Sequence, residues 1–106
     1  MLKKLFILLG LSTAIGSWAS ETPPTISAQQ LPPPLMALYT KEKPDLGRYG
    51  HCSAAFDSRT DGMKMAISCA IYVRLSAQGE RLSLKLCAER AELLKIKSAC
   101  MLIVDP

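Results

Sequence analysis

The sequence predicts a small disulfide-stabilised α+β domain that is rich in β-structure and follows a flexible proline-rich arm. Three observations lead to this prediction: four cysteines in a chain of 106 residues, strict alternation of apolar residues from Lys64 to Ser76, and a run of helix-forming residues after Cys87. Alternation with a period of two is typical of half-buried strands. We therefore expect an antiparallel hairpin or meander with one short helix, in the order β-β-β-α-β.

Residues 1–19 have the pattern of a cleavable signal peptide. Lys3 and Lys4 precede a short apolar run, and the small residues Ser17 and Ala19 mark a cleavage site. The apolar run is shorter than the roughly 20 residues that a transmembrane helix needs. We expect cleavage after Ala19, which leaves 87 of the 106 residues, and a periplasmic or secreted location.

The charge of the exported chain is low. Cleavage removes two lysines, so the net charge falls from +4 to +2. The remaining basic residues are scattered among acidic ones, which gives neither the basic patch of a nucleic-acid-binding protein nor the basic face of a membrane-surface helix. We therefore expect a protein partner, no nucleic acid, and no membrane insertion after signal cleavage.

Residues 20–46 are predicted to be a flexible arm, because Pro23-Pro24 and Pro32-Pro33-Pro34 remove backbone donors that helices and sheets use. The arm is interpreted as a spacer, with a polyproline II ligand for a partner as the alternative. Residues 47–106 are then the four-cysteine domain.

A hairpin is predicted from residues 64–76 and 81–86, joined by a two-residue loop at Gln78-Gly79. This register places the leucines and valine of both strands on one face. The opposite face then carries a candidate interaction set of Tyr72, Arg74, Ser83 and Lys85. Tyrosine and arginine are enriched at binding hot spots, although an ordinary solvated sheet face would have the same pattern.

A second turn, at residues 57–62, would join this strand to a preceding one around residues 51–56. A turn centred on Thr60-Asp61 puts Cys52 directly opposite Cys69. An even number of cysteines in a small exported chain predicts disulfides. We expect Cys52–Cys69 with Cys87–Cys100, and the rival pairing is Cys52–Cys100 with Cys69–Cys87.

The C-terminal part is predicted to contain the helix and the last strand. Residues 88–95 are good helix formers, although the chain could remain extended from Leu94. The continuous apolar run at residues 99–104 predicts a strand that is buried on both faces and interior to the sheet.

No pattern of catalytic or metal-binding residues emerges. His51 adjoins Cys52, but neighbouring residues on a strand point to opposite faces, and the cysteine is expected to be oxidised. The cysteine spacing differs from that of zinc sites, and Arg59 occupies a ligand position of the calcium-loop-like segment at residues 57–62. We expect no metal, no cofactor and no enzyme activity.

By elimination, the sequence suggests a small exported protein-binding module. An inhibitor or immunity-type protein acting on an envelope-active enzyme or toxin would suit its size. The alternative is an accessory or structural component of an envelope secretion or conjugation assembly, with the arm as its tether.

Overall fold

The computed structural model describes residues 22–105, so the predicted signal peptide lies outside the described residues. Four strands and two α-helices occur in this part of the chain, together with two short 3-10 helices, Ala28–Gln30 and Gly62–Lys64. The strands and α-helices are β1 (Thr25–Ser27), α1 (Pro33–Leu46), β2 (His51–Phe56), β3 (Met65–Ala70), α2 (Ser76–Leu93) and β4 (Met101–Val104). The sheet has the order β1-β4-β2-β3, with β1 parallel to β4 and the other neighbours antiparallel. The prediction of a small α+β domain is confirmed, but the chain order is β-α-β-β-α-β.

The two helices cover opposite faces of the sheet. Alternate residues of β2 belong to different clusters, because successive side chains on a strand point to opposite sides. Cys52 and Ala54 pack with Leu35 and Tyr39 of α1, whereas Ala55 packs on the other face with residues of α2. The sheet is therefore the middle of three layers.

The predicted pairing of residues 51–56 with the strand that follows Lys64 is present. In the β2–β3 register Cys52 is the partner of Cys69, and His51 that of Ala70. The structure contains the disulfides Cys52–Cys69 and Cys87–Cys100, which is the pairing that this register favoured. The last strand is interior to the sheet, as expected.

The second predicted hairpin is wrong. β3 ends at Ala70, and residues 76–93 form one helix that includes all of the predicted second strand. The buried positions of α2 recur every four residues and are all small: Gly79, Ser83, Cys87 and Ala91. Small side chains at helical spacing let the helix approach the sheet closely, and that burial determines the local conformation.

The centre of this helix–sheet contact is polar. The hydroxyl groups of Ser53 and Ser83 lie 2.8 Å apart, and both residues are fully buried. The Ser83 hydroxyl also lies 3.1 Å from the carbonyl oxygen of Glu80, to which it donates. The Ser53 hydroxyl therefore donates to Ser83, so both buried hydroxyls are satisfied.

The segment predicted as a flexible arm is instead part of the domain from residue 25 onwards. β1 pairs with β4, and Leu31, Leu35 and Tyr39 belong to the core. The triple proline starts a helix because prolines at the first helical positions lack only donors that have no intrahelical partner. The guanidinium of Arg59 fixes the preceding turn by donating to the carbonyl oxygens of Gln30 and Leu31.

Candidate protein-binding surface

Two loops lie side by side at the end of the sheet where β2 begins and β3 ends. The partnership of His51 with Ala70 in the register brings the segment before β2 next to the segment after β3. Residues 44–49 together with Tyr72 and Val73 line a hollow of about 330 Å³. We call residues 44–49, which include the last three residues of α1, and residues 71–75 the loop surface.

Gly47 sets the path of the first loop. It ends α1 with φ at 64° and ψ at −149°, a conformation that is accessible to glycine and strained for other residues. The chain can therefore leave the helix abruptly and present Arg48 and Tyr49 before it enters β2.

Tyr72 is the most prominent side chain of the second loop. It is 89% exposed, and its φ of 59° places a bulky residue in the left-handed region. A non-glycine residue there costs on the order of 1 kcal/mol, and such strain is concentrated at functional sites. Leu75, at the end of the same loop, is 66% exposed.

Arginine accompanies tyrosine in both loops. The Arg48 guanidinium carbon lies 6.0 Å from the centre of the Tyr49 ring, and Arg74 follows Tyr72 by two residues. These are the two residue types that most often form binding hot spots, together with tryptophan. The loop surface therefore combines aromatic area with positive charge.

The ends of the second loop are held in place. The His51 ring nitrogen Nε2 lies 2.8 Å from the Ser76 hydroxyl, which joins the start of β2 to the start of α2. Within the loop, the Arg74 amide donates to the side-chain oxygen of Gln78 over 3.4 Å. His51 thus has a positioning role, and Cys52, its neighbour in the sequence, is in a disulfide.

The structure separates the four residues of the predicted interaction face. Tyr72 and Arg74 lie in the loop surface, but Ser83 is on the buried face of α2 and Lys85 is on the exposed face of that helix. The four side chains do not share one sheet face, because the hairpin that would have aligned them does not form. Arg48 and Tyr49 were not predicted from the sequence, although Gly47 and Gly50 on either side of them indicated a turn.

A different contact holds the opposite end of the sheet. Asp57, directly after β2, accepts hydrogen bonds from the Lys97 amide at 2.7 Å and from the Ser98 amide and hydroxyl at 3.0 and 2.6 Å. The Ser98 hydroxyl bond, followed by the Lys97 amide bond, holds the pKa of Asp57 below its usual 3.8. Asp57 therefore joins the β2–β3 turn to the loop before β4.

We expect the Asp57 contact to make stability depend on pH in a defined direction. Because the pKa is lowered by folding, the carboxylate contributes stability that is fully present above 3.8 and is lost as the pH falls through the folded-state pKa. The difference in Tm between the wild type and Asp57→Asn should be constant near neutral pH and shrink below pH 3.8. Thermal unfolding from pH 2 to 7 measures it, with Glu89→Gln as the control. A difference that does not change with pH would contradict the assignment.

The disulfides, the lengths of the helices and the positions of potential metal ligands bear on where the domain could reside and what it could bind. The two disulfides are consistent with an oxidising extracellular or periplasmic compartment. Neither helix in residues 22–105 is long and apolar enough to span a bilayer, and no group of three potential metal ligands comes together in that part of the chain.

Comparison of the chain with protein-family models, with curated proteins and with solved structures gives no match in any of the three.

Proposed function

We propose that this chain is an exported, non-enzymatic protein-binding module whose partner docks on the loop surface. The observation that carries the proposal is Tyr72, which is 89% exposed and held in a left-handed backbone conformation beside a hollow. A large aromatic side chain that is almost fully exposed contributes little to folding. It is well suited to enter a pocket on another protein.

The frame beneath the loop surface supports this function. Cys52 is the second residue of β2 and Cys69 the next-to-last residue of β3, so their disulfide lies directly behind both loops. A covalent bond at this place limits the freedom of the loops before binding. Less conformational entropy is then lost when a partner docks.

The charge of the loop surface indicates the kind of partner. Arg48 and Arg74 flank the two tyrosines, and Asp45 is the one acidic residue of residues 44–49 and 71–75. An acidic, concave site on another protein would complement it. An enzyme or toxin active in the envelope can have such a site at its substrate cleft, which is why we favour an inhibitor or immunity-type role.

The alternative, an accessory component of an envelope secretion or conjugation assembly, is less well supported. In that alternative residues 20–46 would serve as a flexible tether. Residues 25–46 instead form β1 and α1 and contribute side chains to the core. An assembly role would now have to rest on the same loop surface. Identification of the captured partner separates the two roles, since an inhibitor lowers its partner's activity and an assembly component does not.

We expect the double variant Tyr72→Ala with Arg48→Ala to lose affinity for its partner by more than tenfold, which corresponds to about 1.4 kcal/mol. The oxidised protein would be immobilised and exposed to envelope extract, and the partner identified by mass spectrometry and titrated against each variant. Lys85→Ala removes a similar charge from α2 and is the matched control. Equal affinity of the double variant and the wild type would refute the loop surface as the binding site.

A further inference from the structure

A serine hydroxyl lies beside an imidazole where α2 begins. The Nε2 atom of His51 is 2.8 Å from the Oγ atom of Ser76, the first residue of α2. Ser76 is exposed, whereas His51 is half-buried. An imidazole that accepts a hydrogen bond from a serine can take the hydroxyl proton when the oxygen attacks an electrophile. The two side chains therefore have the separation of a nucleophile and its base.

The His51 ring is held in this position by packing. A Cβ atom at Gly79 would lie 3.1 Å from the Cδ2 atom of the ring and 3.2 Å from a methyl carbon of Val73. The ring thus lies against the bare backbone of Gly79, with Val73 as a neighbour, and its own backbone is fixed in β2 opposite Ala70. A base that is already in place beside its nucleophile has less freedom to lose when the reaction begins.

Ser76 differs in this respect from three other serines. The hydroxyls of Ser53 and Ser83 contact each other and are fully buried, so no reagent reaches them in the folded protein. The exposed Ser98 donates its hydroxyl hydrogen to the carboxylate of Asp57 over 2.6 Å. A carboxylate is a much weaker base than an imidazole, so this contact does not activate the oxygen.

A hollow beside the pair can receive the organic group of an electrophile. Val73, which packs next to the His51 ring, also lines the hollow of about 330 Å³ together with Tyr49 and Tyr72. These side chains offer apolar and aromatic surface. An acyl or aryl group that rests on them would lie on the same side of the loop as the imidazole.

We infer that Ser76 accepts an acyl group from an activated carboxylic ester, with His51 as its base. The Oγ atom attacks the carbonyl carbon and forms a new C–O bond, while its proton passes to Nε2 of His51. The bond between the carbonyl carbon and the leaving oxygen then breaks, and the proton passes from the imidazole to that oxygen. The products are the acylated serine and an alcohol. The chain is the substrate of this transfer, which is separate from partner docking.

Acetylation by p-nitrophenyl acetate tests the inference in the oxidised protein. After an acid quench, peptide mass spectrometry measures the rate at each serine. Ser76 should react about a hundredfold or more faster than Ser98, since a positioned general base contributes at least this factor. His51→Gln retains a hydrogen-bonding group beside Ser76 but is a far weaker base, and it should remove most of the difference. Asp57→Asn, at the other end of the sheet, is the control and should leave the rate at Ser76 unchanged.

The comparison of two serines within one folded molecule decides the matter even if a variant fails to fold. A wild type in which Ser76 reacts no faster than Ser98 would overturn the inference. A His51→Gln variant with native circular dichroism and intact disulfides that reacts at the wild-type rate would also overturn it. In urea the two serines of the wild type should react equally, and a preference that persists there would show that the local sequence, not His51, is responsible. Partner affinity tests the loop-surface proposal independently.

Discussion

Replacing both Cys87 and Cys100 by serine should lower the free energy of unfolding by about 3 kcal/mol. The bond closes a segment of 13 residues, and releasing it restores conformational entropy to the unfolded chain. It also frees the end of α2 from the segment that leads into β4. A domain of this size has a net free energy of unfolding of only about 5 kcal/mol, so loss of this disulfide would remove more than half of it.

Urea denaturation of the oxidised wild type and of the double serine variant measures this effect. The matching variant, Cys52→Ser with Cys69→Ser, opens a segment of 17 residues and should lose a similar amount. It should differ in one respect, because its bond lies behind the loop surface and its loss should also weaken partner binding. A loss of less than about 1 kcal/mol in both variants would show that the disulfides contribute little to the stability of the domain.

Gly79→Ala should destabilise the protein by about 2 kcal/mol, although the same change inside a helix ordinarily stabilises by about 1 kcal/mol. A Cβ atom at this position would clash with the carbonyl oxygen of Tyr49 and would lie 3.1 Å from the His51 ring. The nearest obstacle is backbone, so α2 must move away from the sheet. The buried contact between Ser53 and Ser83, one turn further along, would be strained as a result.

Gly62→Ala is the control, because a Cβ atom there meets nothing within 4 Å. Its free energy of unfolding should stay within about 0.5 kcal/mol of the wild type. If Gly79→Ala proved as stable as the wild type, the close approach of α2 to the sheet would be refuted. Denaturation curves at one pH are sufficient for this comparison.

The sequence predicted the β2–β3 pairing correctly because the relevant information is local. A turn at residues 57–62, centred on Thr60-Asp61 and followed by apolar alternation, gives the register that places Cys52 opposite Cys69. The interior position of β4 was also predictable, since a continuous apolar run needs cover on both faces. Neither inference required knowledge of distant contacts.

The segment that became α2 was wrongly predicted because its leucines satisfy two periods. Leu82, Leu84 and Leu86 alternate as in a strand, whereas Leu75, Leu82, Leu86 and Leu93 recur at helical spacing. The small residues Gly79 and Ser83, four residues apart, are what favour the helix over the strand. Their significance depends on the equally small face of the sheet, which is far away in the sequence.

The loop surface was predictable only in part. Tyr72 and Arg74 were predicted as binding residues because of their residue types. They lie beside Arg48 and Tyr49 because β2 pairs with β3 and because α1 ends at Gly47. The triple proline predicts a flexible segment, whereas in the structure it begins α1. A helix start and an extended linker are hard to distinguish without the core that Leu35 and Tyr39 enter.

The order of the strands determines when the sheet can be completed as the chain emerges N-terminus first. β1 is made first, yet its neighbour in the sheet is β4, the last strand along the chain. Met101–Val104 must emerge before β1 has any strand to join, so the sheet closes only in the final step. Until then β1, with Ile26 at its centre, has no strand beside it and is accessible to chaperones and proteases.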